Sequence, residues 1–190
     1  ALKTLQDCEK FDFELITDNR EESYDKIQEL LSKINEKELI RKKKGVYYTP
    51  SDLVEFIVKS SFKSMFGKLK ENNINELEVS SLPYKTMCTQ KKVLDPTCGA
   101  GEFLLATLEM KYKIWSTHTV VTEKKAIEIL STVYGNDVNK ESVIITQLRL
   151  LLCVLKWCPT VSLESVTDIL LRNFTAFDFV SQDGVVTGKY

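Results

Sequence analysis

The run Val93-Leu94-Asp95-Pro96-Thr97-Cys98-Gly99-Ala100-Gly101-Glu102-Phe103 restricts the folds open to this chain more than any other stretch. A short apolar segment halts at an acid and a proline, and proline cannot extend a central strand ladder. Gly99 and Gly101 then allow a tight turn and a close approach of the backbone to a neighbour. From Gly101 to roughly Lys113 the apolar residues recur at helical spacing. A strand that feeds through a glycine turn into a helix is the first half of a parallel β-α-β unit. Ligands bind beyond the carboxyl ends of such strands.

The remainder of the chain continues this alternation. Lys92 to Asp95 is the first expected strand, Val133 to Asp137 the second and Asn173 to Phe179 the third. The spacing predicts helices over Glu123–Leu130, Lys140–Lys156 and Val161–Leu171. Asn139 suits the N-cap of the Lys140 helix, whose expected inner face is Ile144, Leu148, Leu151, Leu152 and Leu155. Upstream, Thr49-Pro50-Ser51 supplies a capping hydroxyl and a first-turn proline, and Val54, Ile57, Val58, Phe62 and Met65 share one helical face after it. Residues 19 to 42 carry Tyr24, Ile27, Leu31 and Ile34 at helical spacing. They lead into the basic run Arg41 to Lys44 and then Gly45, which suits a helix C-terminus. That basic run reads as a solvated helix end, with a phosphate contact as the sharper alternative. Residues 67 to 92 lack a period and read as a connection. Strands alternating with helices imply an α/β fold, a parallel sheet covered by helices on both faces, over residues 45–190. A helical extension, residues 1–44, precedes it.

Composition narrows the class. The chain has 190 residues, 43% hydrophobic and 28% charged, which suits one folded domain rather than a disordered segment. A net charge of −1 argues against a nucleic-acid footprint over the whole surface, while leaving room for a local basic patch. No apolar run is long enough to span a bilayer, and the first residues are polar and acidic, unlike a secretory signal. The expected location is cytoplasmic. The five cysteines, Cys8, Cys88, Cys98, Cys153 and Cys158, form no C-x-x-C pair, and His118 is the single histidine. Free thiols are therefore expected and no metal site. His118 itself reads as an ordinary loop or strand residue.

Three expected strand ends carry an acid: Asp95, Asp137 and Asp178. Adjacent parallel strands place such residues along one rim. A carboxylate at Asp137 suits both hydroxyls of a ribose, and one at Asp178 suits an exocyclic amine, with Phe179 packing on an aromatic ring. Asp183 is the alternative to Asp178. The glycine turn departs from the dinucleotide fingerprint: its third glycine is missing, and Asp137 follows by far more than the ~20 positions expected. That disfavours a nucleotide-dependent dehydrogenase. No G-x-x-x-x-G-K-[ST] is present, which excludes a P-loop. Asp95 beside the turn repels a pyrophosphate and welcomes a cationic amine or sulfonium, which points to S-adenosylmethionine. Cys98 has no accompanying base and reads as a small packing residue rather than a nucleophile.

The ordered set GVYYTP, VLDPTCGAGEFL, VYGNDVN and FTAFDFV resembles the amino-terminal half of the catalytic region of DNA adenine-N6 methyltransferases, in particular the methylation subunits and fused enzymes of bacterial restriction–modification systems. The resemblance implies a partial Rossmann-like S-adenosylmethionine-dependent methyltransferase fold. It places Tyr48, Thr49 and Pro50 over the methionine end of the cofactor. It assigns Asp95, Pro96, Thr97, Cys98, Gly99, Gly101 and Phe103 to the loop holding that end, with Asp95 facing the amino group. It gives the ribose hydroxyls to Asp137, a contact on the adenine to Val138, and the adenine amine and pocket to Asp178 and Phe179. Double-stranded DNA is the implied partner of the full-length protein, together with specificity or restriction subunits or domains.

The family's catalytic tetrapeptide, Asn/Asp-Pro-Pro-Tyr/Phe, holds the target amine and stacks on the flipped-out base. It occurs nowhere in this sequence, which stops at Gly188-Lys189-Tyr190. The expectation is a piece of a longer enzyme, holding the cofactor's seat without the catalyst, inactive alone and with an open edge on its first strand. A non-catalytic methyltransferase-like module, and a methyltransferase acting on RNA or on a protein glutamine, are the alternatives.

Overall fold

The computed structural model describes residues 19–34, 49–66, 88–117 and 119–179, the side chains of 34, 63, 65 and 66 excepted. Cys8, Arg41 to Lys44, Tyr48, His118 and Asp183 lie outside the described residues. Helix α1 (Arg20–Ile34) starts where Asn19 Oδ1 accepts from the Glu21 amide at 3.0 Å, with Glu21 and Glu22 in the first turn and Lys33 in the last. That charge order complements the helix dipole. Helix α2 (Ser51–Phe66) begins as expected after Thr49-Pro50, whose Pro50 carbonyl accepts from Leu53 and Val54, each at 3.0 Å.

The sheet has three parallel strands, β1 (Val93–Asp95), β2 (Val133–Asn136) and β3 (Phe174–Thr175), in the order β1-β2-β3. Val93 pairs with Val133, Asp95 with Gly135, and Asn136 with Thr175. Between them run α3 (Glu102–Ser116), α4 (Glu123–Leu130), α5 (Lys140–Trp157) and α6 (Leu163–Asn173). The third strand is shorter than the sequence suggested. It ends at Thr175, because the following residues turn back to hydrogen-bond the β2 end (below), so Asp178 and Phe179 sit on the loop beyond it.

The sequence suggested helices on both faces of the sheet; among the described residues they gather on one. Each crossover moves one strand further in the same direction, and right-handed crossovers of that kind put their helices on a single face. Accordingly α3 touches β1 and β2, α5 touches β3, and α3 and α5 touch one another. Gly135 faces that layer, with Leu104 of α3 and the Phe174 ring where a Cβ would stand. On the opposite face the register pair Leu94 and Tyr134 are respectively exposed and half-buried.

The core lies between the sheet and α3, α4, α5 and α6. Leu104, Leu108, Tyr112, Ile129, Leu130, Val133, Leu150 and Val154 are all fully buried, each aliphatic one contributing ~1.5–3 kcal/mol. On α2, Val54, Val58 and Phe62 face inward as expected, while Ile57 is exposed and Met65 is among the side chains set aside. On α5 the expected stripe is rotated. Val143, Leu150, Cys153 and Val154 are buried, whereas Ile144, Leu148, Leu151, Leu152 and Leu155 are half-buried. The helix is flanked by α1, α3, α4, α6 and β3, so its whole circumference is covered and apolarity no longer marks the innermost side. Lys111 is a cation buried at 1% exposure: its Nζ donates to the Lys91 carbonyl at 2.7 Å and to Thr132 Oγ1, bracing the residues that precede β1 and β2. Burial brings its pKa down to about 8.

Among the described residues no helix is long and apolar enough to cross a membrane, and no cluster of His, Cys, Asp and Glu could hold a metal ion.

Candidate functional site

Where β1 ends, Asp95 Oδ1 accepts from the Thr97 amide at 3.1 Å, an Asx turn that bends the chain through Pro96. The Cys98 amide then reaches across to the Asn136 carbonyl at 2.8 Å, so the loop leaves β1 already tied to β2. Gly99 and Gly101 both take positive φ, +53° and +82°. They do different work. A Cβ on Gly101 would stand 2.7 Å from Thr146 Cγ2, so helix α3 can begin there only because the residue is glycine. A Cβ on Gly99 meets nothing within 4 Å, so that glycine faces open space at the rim.

Asp137 follows β2 directly. Its Oδ2 accepts from the Gly99 amide at 2.9 Å and its Oδ1 from the Asn139 amide at 2.8 Å. Asn139 in turn caps α5 by accepting from the Glu141 amide at 2.9 Å. Each carboxylate oxygen retains a second lone pair for a ligand. Asp95 and Asp137 are close enough to feel one another. Burial first, and the Asp137 carboxylate second, raise the Asp95 pKa above the ordinary carboxylate value. A pair of partly desolvated acids on one rim attracts a cationic or hydroxyl-bearing ligand.

Pro96 and Phe103 are half-buried, Phe103 against the core, while Thr97 is exposed. Cys98 is buried with Sγ 3.9 Å from Thr146 Oγ1, and burial next to Asp95 pushes its thiol up to about 12. It is packing, as its sequence context suggested, and no nucleophile. Val138 projects its side chain into solvent, 76% exposed, beside Asp137. Asp178 is exposed, and Phe179 stacks on Phe177 with ring centroids 6.1 Å apart. Thr49 is half-buried and Pro50 exposed at the start of α2.

Two contributors were not singled out from the sequence. Asn136, 1% exposed, bonds to the loops after β1 and β3 at once. Arg149 of α5, 3% exposed, makes a two-pronged ion pair with Glu102 at 2.7 and 3.0 Å and donates to the Ala100 carbonyl at 2.7 Å. It also binds Gln28 of α1 at 3.0 Å, so the glycine turn is anchored to α1 through one side chain. The residue pattern G-A-G-E with a downstream arginine on an apolar helix was the available signal. Elsewhere, a cavity of about 900 Å³ lies between α1, α3 and α5, lined by Tyr24, Ile27, Glu109, Leu152, Lys156 and Trp157 among others. None of the strand-end residues lines it.

The family model for N-6 DNA methylases matches residues 25–156, which takes in most of α1, the glycine turn, both acids and nearly all of α5. The chain belongs to the N-6 DNA methylase family. The match therefore extends upstream of the Thr49-Pro50 element into α1, the helix that Arg149 holds against the glycine turn. Among curated proteins, the chain is similar to one assigned as a type II restriction enzyme and methyltransferase of Methanocaldococcus jannaschii. Identity is 25% over 181 residues, covering 79% of this chain and 15% of that protein. The chain thus spans under a fifth of that relative's length. No solved structure matches the N-6 DNA methylase chain.

Proposed function

We propose that this chain is the cofactor-binding portion of an enzyme that transfers methyl from S-adenosylmethionine to adenine N6 in DNA. The observation that carries the reading is the rim itself: Asp95 and Asp137 at adjoining strand ends, with the open face of Gly99 beside them. The donor set fits the cofactor. Asp95 offers a half-buried carboxylate to its ammonium group, and the free lone pairs of Asp137 suit a vicinal diol. The exposed Val138 and the Phe177–Phe179 stack suit an adenine ring. When bound, the cofactor supplies an electrophilic methyl on a sulfonium centre. The chain's own residues bind and orient it, and none of them is assigned to hold the target base. Family membership supports the methyltransferase class, and the relative's name supports a restriction–modification setting with DNA as substrate, shared with specificity or restriction domains.

Titration calorimetry with S-adenosylhomocysteine tests this reading. The wild-type chain is expected to bind, and Asp137→Ala to lose at least about tenfold in affinity, the equivalent of ~1.4 kcal/mol. Equal binding by both removes the ribose role of Asp137. No binding by the wild type removes the cofactor reading for this chain.

A further inference from the structure

Asn136 ends β2 and its side-chain amide is fully used. Nδ2 donates to the Pro96 carbonyl at 3.1 Å and the Phe177 carbonyl at 3.0 Å. Oδ1 accepts from Thr175 Oγ1 at 3.0 Å and from the Phe177 amide at 3.3 Å. Two donors and two acceptor lone pairs are the whole capacity of the group. The orientation is forced, because the flipped amide would set its oxygen against two carbonyls. None of these partners is core packing. One is in the loop that carries Asp95, and the others are in the segment that carries Asp178 and Phe179. The Asn136 carbonyl adds a fifth bond, from the Cys98 amide at 2.8 Å.

We propose that Asn136 is a positioning residue that fixes the spacing between the Asp95 loop and the Asp178–Phe179 loop, so that both ends of one extended ligand are read together. This rests on the cofactor reading given above. A buried amide is an expensive way to fill the end of a strand if packing is all that is required, since an apolar residue of similar volume avoids desolvating four polar positions. What the amide provides and leucine cannot is a rigid bridge between two loops that have no strand pairing with one another. β2 lies between their strands, and its last side chain spans the gap. Aspartate is unsuitable, because its carboxylate faces two carbonyl oxygens. A ligand that touches both loops gains from their fixed separation as two linked binding events do, through effective concentration. A ligand that touches only one loop does not.

The test compares S-adenosylhomocysteine, which has both an adenosine and an amino-acid end, with 5′-methylthioadenosine, which has the first end alone. Affinities are measured by calorimetry on the 190-residue chain for the wild type, Asn136→Leu and Thr175→Val. Asn136→Leu is expected to weaken S-adenosylhomocysteine by about tenfold or more while changing 5′-methylthioadenosine by less than about threefold. Thr175→Val removes one bond of the five and is expected to give a smaller change in the same ratio; it carries the test if circular dichroism shows Asn136→Leu unfolded. Parallel losses for both ligands, or none, overturn the positioning role and leave the cofactor reading standing. Failure of the wild type to bind S-adenosylhomocysteine overturns both.

Discussion

The Gly99 amide donates to Asp137 Oδ2 at 2.9 Å, joining the first loop of the sheet to the end of its second strand. The other oxygen of Asp137 accepts from the Asn139 amide at 2.8 Å. Both partners are donors, so the carboxylate is the only side chain of its size that satisfies both. Asp137→Ala leaves two amides without partners and is expected to cost about 1–2 kcal/mol of stability. Asp137→Asn is expected to cost at least as much, although it is the closer replacement, because its NH2 group must face one of the two N–H donors. Urea unfolding of both variants checks the order. A clearly milder Asp137→Asn contradicts the dual-acceptor role.

Asp95 shows the opposite balance between stability and binding. Burial and the neighbouring Asp137 raise its folded pKa above the unfolded value, so the folded state holds the proton more tightly. Its contribution is therefore most favourable below the unfolded pKa and declines as pH rises toward the raised folded value. At neutral pH the ionised group is a burden, and Asp95→Asn keeps an oxygen for the Thr97 amide without the charge. The variant is expected to stabilise the fold by on the order of 0.5 kcal/mol, a small figure because solvent screens the partly exposed pair. It is also expected to weaken S-adenosylhomocysteine by about tenfold, since a charged hydrogen bond to the ammonium is lost. Thermal unfolding and calorimetry check the two signs separately. Destabilisation together with unchanged binding defeats the assignment.

The two turn glycines separate backbone from space. Gly101→Ala is expected to be severely destabilising, with a left-handed φ costing ~1–2 kcal/mol and the 2.7 Å approach to Thr146 adding an overpacking cost of ~1–3 kcal/mol. Gly99→Ala meets only the first cost. The shift in urea midpoint should therefore be larger for Gly101→Ala, and Thr146→Ala in the same chain should recover part of it. A methyl at Gly99 still lies on the open rim and should weaken S-adenosylhomocysteine although the fold tolerates it. Equal shifts for the two alanines rule out the contact with Thr146 as the deciding difference.

What could be read in advance follows from range. Periodicity and caps are local, so α4 (Glu123–Leu130) and the Asn139 cap appeared at their expected positions. The glycine turn was legible because its chemistry is concentrated in consecutive residues. Asn136 was not, because its side-chain partners lie about forty positions away on either side and the triplet Gly135-Asn136-Asp137 says nothing of them. Arg149 was not legible either, since a pattern argument assumes one dry face of α5, and its ion-pair partner Glu102 stands 47 positions upstream. Which face of the sheet the described helices cover was not legible, for a topological reason. Alternation of strands and helices does not disclose strand order, and only a reversal of that order places helices on both sides.

Lys111 gives the fold an alkaline signature. Its side chain is 1% exposed, and burial brings its pKa from 10.5 to about 8. Between those values the unfolded chain binds more protons than the folded one, so stability rises with pH there. Buried thiols act against it: Cys88 is raised from 9.0 to about 11, Cys98 to about 12, and Cys153 is raised as well, so the unfolded state releases their protons first and stability falls as pH approaches and passes 9. The lysine is therefore isolated as a difference between wild type and Lys111→Met, which keeps the stem and removes the titrating amine. From pH 8 to 9 the wild type is expected to gain about 1 kcal/mol relative to that variant. Urea unfolding of both across the interval checks this, with the variant alone expected to lose stability. Thr132 Oγ1 retains its bond to the Ile129 carbonyl at 2.7 Å in that variant, so only the Lys91 carbonyl loses its side-chain donor. The same pH dependence in Lys111→Met as in the wild type would assign the effect to another group.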